Sequence, residues 1–246
     1  MLPVLVLQTG NAPSAIRAHH GSFGDMVVRA AQLTEHTSRI VRVYAGETPD
    51  DPRAYAGAII TGSPANVTDE DAWIEKAADW VRKAMDADLP LFGFCFGHQL
   101  MAKALGGRVG FHPAGREIGT RRIHQTAAGR GDPVFQGIPA QFAAHLLHEQ
   151  TVLEPPPGAQ VLACNDHDPH QALRLGERAV SVQFHPEFTA PIMHAYLSAM
   201  HKVLRKEGAD IDALAADVTD TPAAVGVMRN FLRQYVLPAS VAAGVR

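Results

Sequence analysis

Through the first half of the chain, short apolar runs alternate with longer stretches of helical spacing. Residues 2–8, "LPVLVLQ", have the continuous apolar character of a strand buried on both faces, and residues 25–33 follow with a helical pattern. Residues 39–45 and 56–62 predict a second and a third strand. The clearest helix lies in "DEDAWIEKAADWVRKAMDAD", where Trp73, Ala77, Trp80, Val81 and Ala84 recur at helical spacing and Thr68 with Asp71 resembles a capping box. Residues 90–94, "PLFGF", give a fourth, fully apolar strand, followed by a helix from about Gly97 to Leu105 that Gly106 can close. This alternation predicts an α/β fold with a mostly parallel central sheet and helices on both faces.

The pattern changes after residue 117. Up to residue 184 it is mainly strand-like, in "EIGTRRIHQT", "QFAAHLLHE", "QVLACN", "QALRLG" and "AVSVQFH", which predicts a small antiparallel region. Helical spacing returns over residues 189–208 and 222–236, joined by an Ala/Asp-rich linker over 208–221. The expected division is one α/β domain over residues 1–205 and a C-terminal helical extension over 206–246.

Composition narrows the function classes. Apolar residues make up 46% of the 246 positions, enough for a sizeable core. The net charge is −3 and no block of like charges occurs, which speaks against nucleic acid and membrane surfaces as partners. No apolar run approaches the ~20 residues that span a bilayer. The opening "MLPVLVLQTG" lacks a basic n-region and a small-residue cleavage site, so it reads as a strand. Cys95 and Cys164 are the two cysteines, far apart in sequence, as expected of free thiols in a reducing cytoplasm.

Three short pieces carry candidate chemistry. Gly93-Phe94-Cys95-Phe96-Gly97 has the G-x-nucleophile-x-G form of an elbow at a strand-to-helix turn. There the sulfur would project from the carboxyl end of the sheet, and the helix N-terminus would favour a thiolate. "SVQFHPEF", residues 181–188, ends an apolar strand with His185-Pro186-Glu187, offering a base and a carboxylate to orient it. "IITGSPANV", residues 59–67, places Gly62-Ser63-Pro64 in a tight loop after a strand, with the N–H of Gly62 or Ser63 as an oxyanion donor beside that of Phe96. Each piece alone has an ordinary structural reading: a buried apolar cysteine, a surface turn, a loop. In combination they favour a thiol triad.

Taken together, "FGFCFGHQLMAKALGG", "TGSP" and "QFHPEF" resemble the motif set of the class I, triad-type glutamine amidotransferases, in particular a free-standing branch similar to the glutaminase domain of GMP synthase. The resemblance covers about residues 1 to 200. It implies that Cys95 attacks the side-chain amide of glutamine to give a γ-glutamyl thioester and ammonia, that His185 serves as acid and base, and that Glu187 orients it. It also implies oxyanion donors at Gly62 and Phe96, and a contact from Gln99 to the amino-acid end of the substrate. His98 is assigned a structural role. "GREIG", residues 115–119, resembles the segment whose backbone closes over the glutamine α-carboxylate. One departure stands out: GMP synthase relatives carry His-Gly-Asp where this chain has His148-Glu149-Gln150.

No cofactor is implied. The His145/His148 and His167/His170 pairs fall in strand or loop segments without a cysteine cluster, so no metal is expected. Three functions follow from the resemblance: a glutaminase supplying ammonia to an acceptor or a separate synthase subunit, a γ-glutamyl hydrolase acting without a partner, or a non-catalytic regulator of the same fold. A second copy of the chain is the other partner left open.

Overall fold

The computed structural model describes residues 2–237. In chain order its strands are β1 (Val4–Gln8), β2 (Ser38–Arg42), β3 (Gly57–Ile60), β4 (Leu91–Phe94), β5 (Arg108–Phe111) and β6 (Glu117–Gln125). They continue with β7 (Gln141–His148), β8 (Gln150–Glu154), β9 (Gln160–Cys164), β10 (Ala172–Gly176) and β11 (Ala179–Val182). The helices are α1 (Ser14–His20), α2 (Phe23–Ala30), α3 (Ala72–Asp86), α4 (Phe96–Ala104) and α5 (Ala127–Gly131). After the last strand come α6 (Ala190–Ala199), α7 (His201–Lys206), α8 (Ile211–Ala216) and α9 (Pro222–Phe231).

Nine strands form one sheet in the order β2-β1-β3-β4-β11-β10-β9-β6-β7, and β5 pairs with β8 separately. From β2 to β11 every pairing is parallel, and from β11 to β7 every pairing is antiparallel. Strands β1, β3, β4 and β11 are buried along their whole length, as their unbroken apolar runs predict for strands covered on both faces. On one side, α3 lays Ile74, Ala77, Ala78, Trp80, Val81 and Ala84 into the core. On the other, Val227, Met228 and Phe231 of α9 share a core with Phe92 and Phe94 of β4.

The sequence pattern misplaced three details. The capping box at Thr68 and Asp71 does not form: Asp71 is the N-cap of α3 and makes no side-chain cap bond. Thr68 Oγ1 instead accepts from Gln150 Nε2 at 2.5 Å, a tertiary bond that removes it from local capping. The continuous helical pattern over 189–208 breaks at Met200 into α6 and α7. The expected linker over 208–221 contains α8, whose N-cap Asp210 accepts from Ala213 N at 3.0 Å and whose Leu214 is buried. Alanine-rich composition with a capping aspartate suffices for a short helix once one apolar side chain finds a partner. Beyond residue 206 the chain forms α8 and α9, and residues 238–246 lie outside the described residues.

Topology places the three candidate pieces together. In the parallel half, β3, β4 and β11 are neighbours and run the same way, so the residues just past their carboxyl ends share one sheet edge. Gly62 follows β3, Cys95 follows β4 and His185 follows β11. Among the described residues no helix is long and apolar enough to cross a membrane.

Candidate active site

Cys95 sits directly between β4 and α4 with φ 51° and ψ −110°, a conformation side-chain-bearing residues rarely adopt. The turn is pinned on both sides: Cys95 N–H donates to Val182 O at 3.0 Å, and Gly97 N–H donates to Thr61 O at 3.0 Å. The first turn of α4 therefore lies on the backbone of β3. A Cβ at Gly97 would stand 2.3 Å from Ile60 O, so only glycine permits this approach. The Cys95 sulfur borders a cavity of about 290 Å³ and reaches Leu147 O of β7 at 3.6 Å.

His185 reaches the same cavity from β11. Its backbone N–H donates to His145 O at 2.8 Å, which bridges the strand end to β7. Its Nδ1 lies 2.8 Å from Glu187 Oε1, and because the carboxylate accepts, Nδ1 carries a proton. Burial opposes charge on this ring, but the Glu187 carboxylate and the Cys95 sulfur more than offset it and lift the imidazole to about 10. Nε2 has no hydrogen-bond partner among the described residues.

Gly62 completes the cluster. A Cβ there would lie 3.1 Å from His185 Cε1 and 3.6 Å from Cys95 Cβ, so the loop after β3 passes tightly against both side chains. The hydroxyls of Thr9 and Thr61 donate to Gly62 O at 3.0 and 2.9 Å. In a trans peptide the N–H points opposite to the carbonyl, which turns Ser63 N–H away from those hydroxyls. The N–H groups of Gly62, Ser63 and Phe96 have no backbone acceptor among the described residues, and Ser63 and Phe96 line the cavity. Gln99 lines it too, one turn along α4. Its Nε2 donates to Gln150 O at 2.6 Å and Gln183 Oε1 at 2.9 Å, leaving Oε1 as the unused acceptor.

The opposite wall contains groups the sequence reading did not assign. Glu117, at the start of β6, accepts from His148 Nε2 at 3.0 Å, Asn165 Nδ2 at 2.6 Å and Gln171 Nε2 at 2.9 Å. Burial pushes its carboxyl up, yet the His148 hydrogen bond and charge, with the Asn165 bond, prevail and hold it below the usual range. The other ring nitrogen of His148 faces Gln150 O at 2.9 Å. Both nitrogens of this cavity-lining ring thus stand against oxygen acceptors. Arg116 lines the cavity as well, held by Glu149 and, at 3.0 Å, by Glu207. Both segments, "GREIG" and "HEQ", carried a resemblance or a departure in the sequence, but nothing local signals that they pair across 31 positions.

His98, His145, His167 and His170 each have partners outside the cleft chemistry. His98 is fully buried beneath the elbow with Nδ1 2.8 Å from Ser181 Oγ, and burial pushes its pKa down to about 3. His145 Nδ1 lies 3.1 Å from Thr120 Oγ1, His167 stacks on His112, and His170 Nδ1 meets Val152 O at 2.6 Å. Both cysteines are free thiols, with Cys164 half-buried on β9.

Residues 17–200 match the family model of the class I glutamine amidotransferases. Gamma-glutamyl peptidase 5 of Arabidopsis thaliana is 31% identical over 193 residues, covering 77% of this chain and 76% of that protein. A glutamine-hydrolysing GMP synthase of Thermomicrobium roseum is 34% identical over 190 residues, covering 71% of this chain but 34% of that enzyme, so the chain spans about a third of that relative. In fold, a glutamine amidotransferase from Thermotoga maritima superposes with a TM-score of 0.78 at 19% identity, covering 97% of this chain and 100% of that one. An elbow cysteine, a strand-end histidine with its glutamate and a family match over three quarters of the chain lead to one assignment: the chain belongs to the class I glutamine amidotransferase family.

Proposed function

We propose that the chain is a thiol-dependent hydrolase of γ-glutamyl amides, glutamine being the simplest of them, with Cys95, His185 and Glu187 as its triad. The observation that carries this reading is geometric: His185 is held through Nδ1 by Glu187 Oε1 at 2.8 Å, its Nε2 is left without a partner, and it lines one cavity with the elbow cysteine Cys95. The sulfur attacks the amide carbonyl carbon, and the displaced electron pair goes to oxygen. Backbone N–H groups of Gly62 and Phe96, with that of Ser63 beside them, receive the oxyanion. His185 gives its Nε2 proton to the nitrogen as the C–N bond breaks, so ammonia or an amine departs and a γ-glutamyl thioester remains. The neutral ring then takes a proton from water, whose oxygen attacks the thioester. Sulfur leaves, glutamate is released and His185 is again a cation. Glu187 orients the ring and balances its charge throughout. Gln99 Oε1 suits the substrate's ammonium, while the His148 ring and the Arg116 guanidinium suit its α-carboxylate.

The test is amide hydrolysis by the purified chain. Wild type releases ammonia from glutamine or an amine from another γ-glutamyl amide, and Cys95→Ala loses at least about 10³-fold in kcat. Activity that survives that change refutes the triad. No selective labelling of Cys95 by a glutamine-like electrophile would favour a non-catalytic regulator instead. A second reading, in which ammonia passes to an acceptor on a separate synthase, rests on the likeness to part of GMP synthase. The likeness to gamma-glutamyl peptidases over most of their length supports turnover without a partner.

A further inference from the structure

The cavity at Cys95 has two unlike sides. Gln99, His148, Gln150 and Arg116 make one wall polar and cationic. Around His185 the wall is made of rings: His185 stacks on Phe188 with centroids 4.1 Å apart at 17°, and Phe188 stacks on Tyr196 at 5.0 Å and 16°. Phe188 and Tyr196 both line the cavity, and Met200, one turn beyond Tyr196, extends that side. Tyr196 lies outside the three motif pieces, and nothing in the triad chemistry requires aromatic neighbours.

We propose that Phe188, Tyr196 and Met200 form the subsite for the departing amine, and that the substrate is a γ-glutamyl amide of an apolar, aromatic amine in preference to glutamine. This rests on the γ-glutamyl amide reading above. Proton transfer fixes the polarity of binding: the leaving nitrogen must face His185 Nε2, so whatever it carries lies along the stack that begins at His185. The zwitterionic end of the glutamyl group then falls toward His148 and Arg116, where charge complements it. Ammonia would gain nothing from a wall of ring carbons and a thioether. An aromatic group buries its area there and meets ring edges in a favoured arrangement, since both faces of Phe188 are already covered. Met200 supplies a side chain that adapts to groups of different outline. The cavity's volume of about 290 Å³ stands at the lower limit for pockets that hold a drug-sized ligand, about 300 Å³, which suits a compact amide over a long peptide. Burial, with the nearby charges of Glu187 and Cys95, raises the pKa of Tyr196, so its hydroxyl stays neutral.

The test compares γ-glutamylbenzylamide with glutamine on the full chain, because benzylamine and ammonia are comparable bases and the intrinsic leaving ability is matched. Wild type should favour the benzylamide by about tenfold or more in kcat/KM, a discrimination typical of apolar pockets. Tyr196→Ala should erase most of that ratio, chiefly through a higher KM for the benzylamide, and Tyr196→Phe should retain most of it. Met200→Ala, nearer the surface, gives a second reading with less demand on folding and should lower the ratio in the same direction. Equal or better use of glutamine by wild type overturns the subsite and leaves the γ-glutamyl amide reading standing. A ratio unmoved in both Tyr196→Ala and Met200→Ala also overturns it. Cleavage of neither compound overturns both.

Discussion

The two halves of the central sheet furnish the cleft by different means. In the parallel half, Gly62, Cys95 and His185 arrive within three residues of the ends of adjacent parallel strands, so backbone topology alone brings them together. In the antiparallel half, the contribution is a hydrogen-bonded pair of side chains, Glu117 on β6 and His148 on β7, held by bonds to residues from other segments. One half positions its groups through sterics at the main chain, as the 2.3 Å limit at Gly97 illustrates. The other positions them through a buried charge whose partners must all be present. Damage to the first should appear as lost chemistry, and damage to the second as lost stability together with weaker binding.

The largest effect expected is at Glu187. Glu187→Gln keeps the shape but removes the carboxylate that does most to lift His185. By comparison with other triads, kcat/KM should fall by about 10²–10⁴-fold. The pH profile sharpens the point. In the proposed mechanism acylation uses the acid form of His185, so wild-type kcat/KM should hold above the ordinary histidine range and decline as pH rises toward about 10. In Glu187→Gln that decline should begin at lower pH. A profile with the same basic limb in both proteins would detach Glu187 from the triad.

Glu117 is the corresponding point in the antiparallel half. Glu117→Gln takes the charge from the acceptor of three buried hydrogen bonds, and a bond to a charged group contributes about 1.5–3 kcal/mol. Chemical denaturation should report that loss, with KM rising more than kcat falls because His148 lines the cleft and donates no proton to the reaction. Glu117→Gln combined with His148→Gln should cost less than the sum of the two single changes, since both remove the same hydrogen bond. If Glu117→Gln alone were as stable as wild type, the two halves would not differ in the way described.

This division also explains what was legible in the sequence. The parallel half could be read because each piece is local: an apolar run, then a glycine-flanked cysteine, a Gly-Ser-Pro loop or a His-Pro-Glu end. A local pattern with a known strand direction needs only the order of strands to become a site. Glu117 and His148 offered no such pattern. Glu117 sits in the segment thought to act through its backbone, and its partners Asn165 and Gln171 are ordinary polar residues in sequence. Thr68 misled for the same reason, because its hydroxyl serves Gln150 across the cleft rather than its own helix. Tyr196 lies in a helix whose apolar spacing predicts core, and it is core by burial. Its stack on Phe188, and through it on His185, and its place in the cavity lining link it to the site.

The smallest effect expected comes from the histidines that take no part in chemistry, and its sign separates them from His185. Burial depresses His98 to about 3, so the folded state holds it neutral while the unfolded chain takes up a proton near the ordinary value of 6.5. Its contribution is therefore complete above about 6.5 and drains away as pH falls toward 3. His145, at about 4, acts in the same direction. His185 has the opposite sign: raised to about 10, it contributes fully below 6.5 and less as pH rises through that range. Acidification from pH 6.5 to 4 should thus lower the melting temperature, and His98→Asn should flatten that decline, by an amount on the order of 3 kcal/mol if the depression is fully expressed. Differential scanning calorimetry at a series of pH values reads it directly. Because His98 packs beneath the elbow and bonds Ser181, a decline as steep in His98→Asn as in wild type would show that the protein interior there admits charge. The elbow would then owe its rigidity to main-chain contacts at Gly97 and Cys95 alone, not to the dry packing below it.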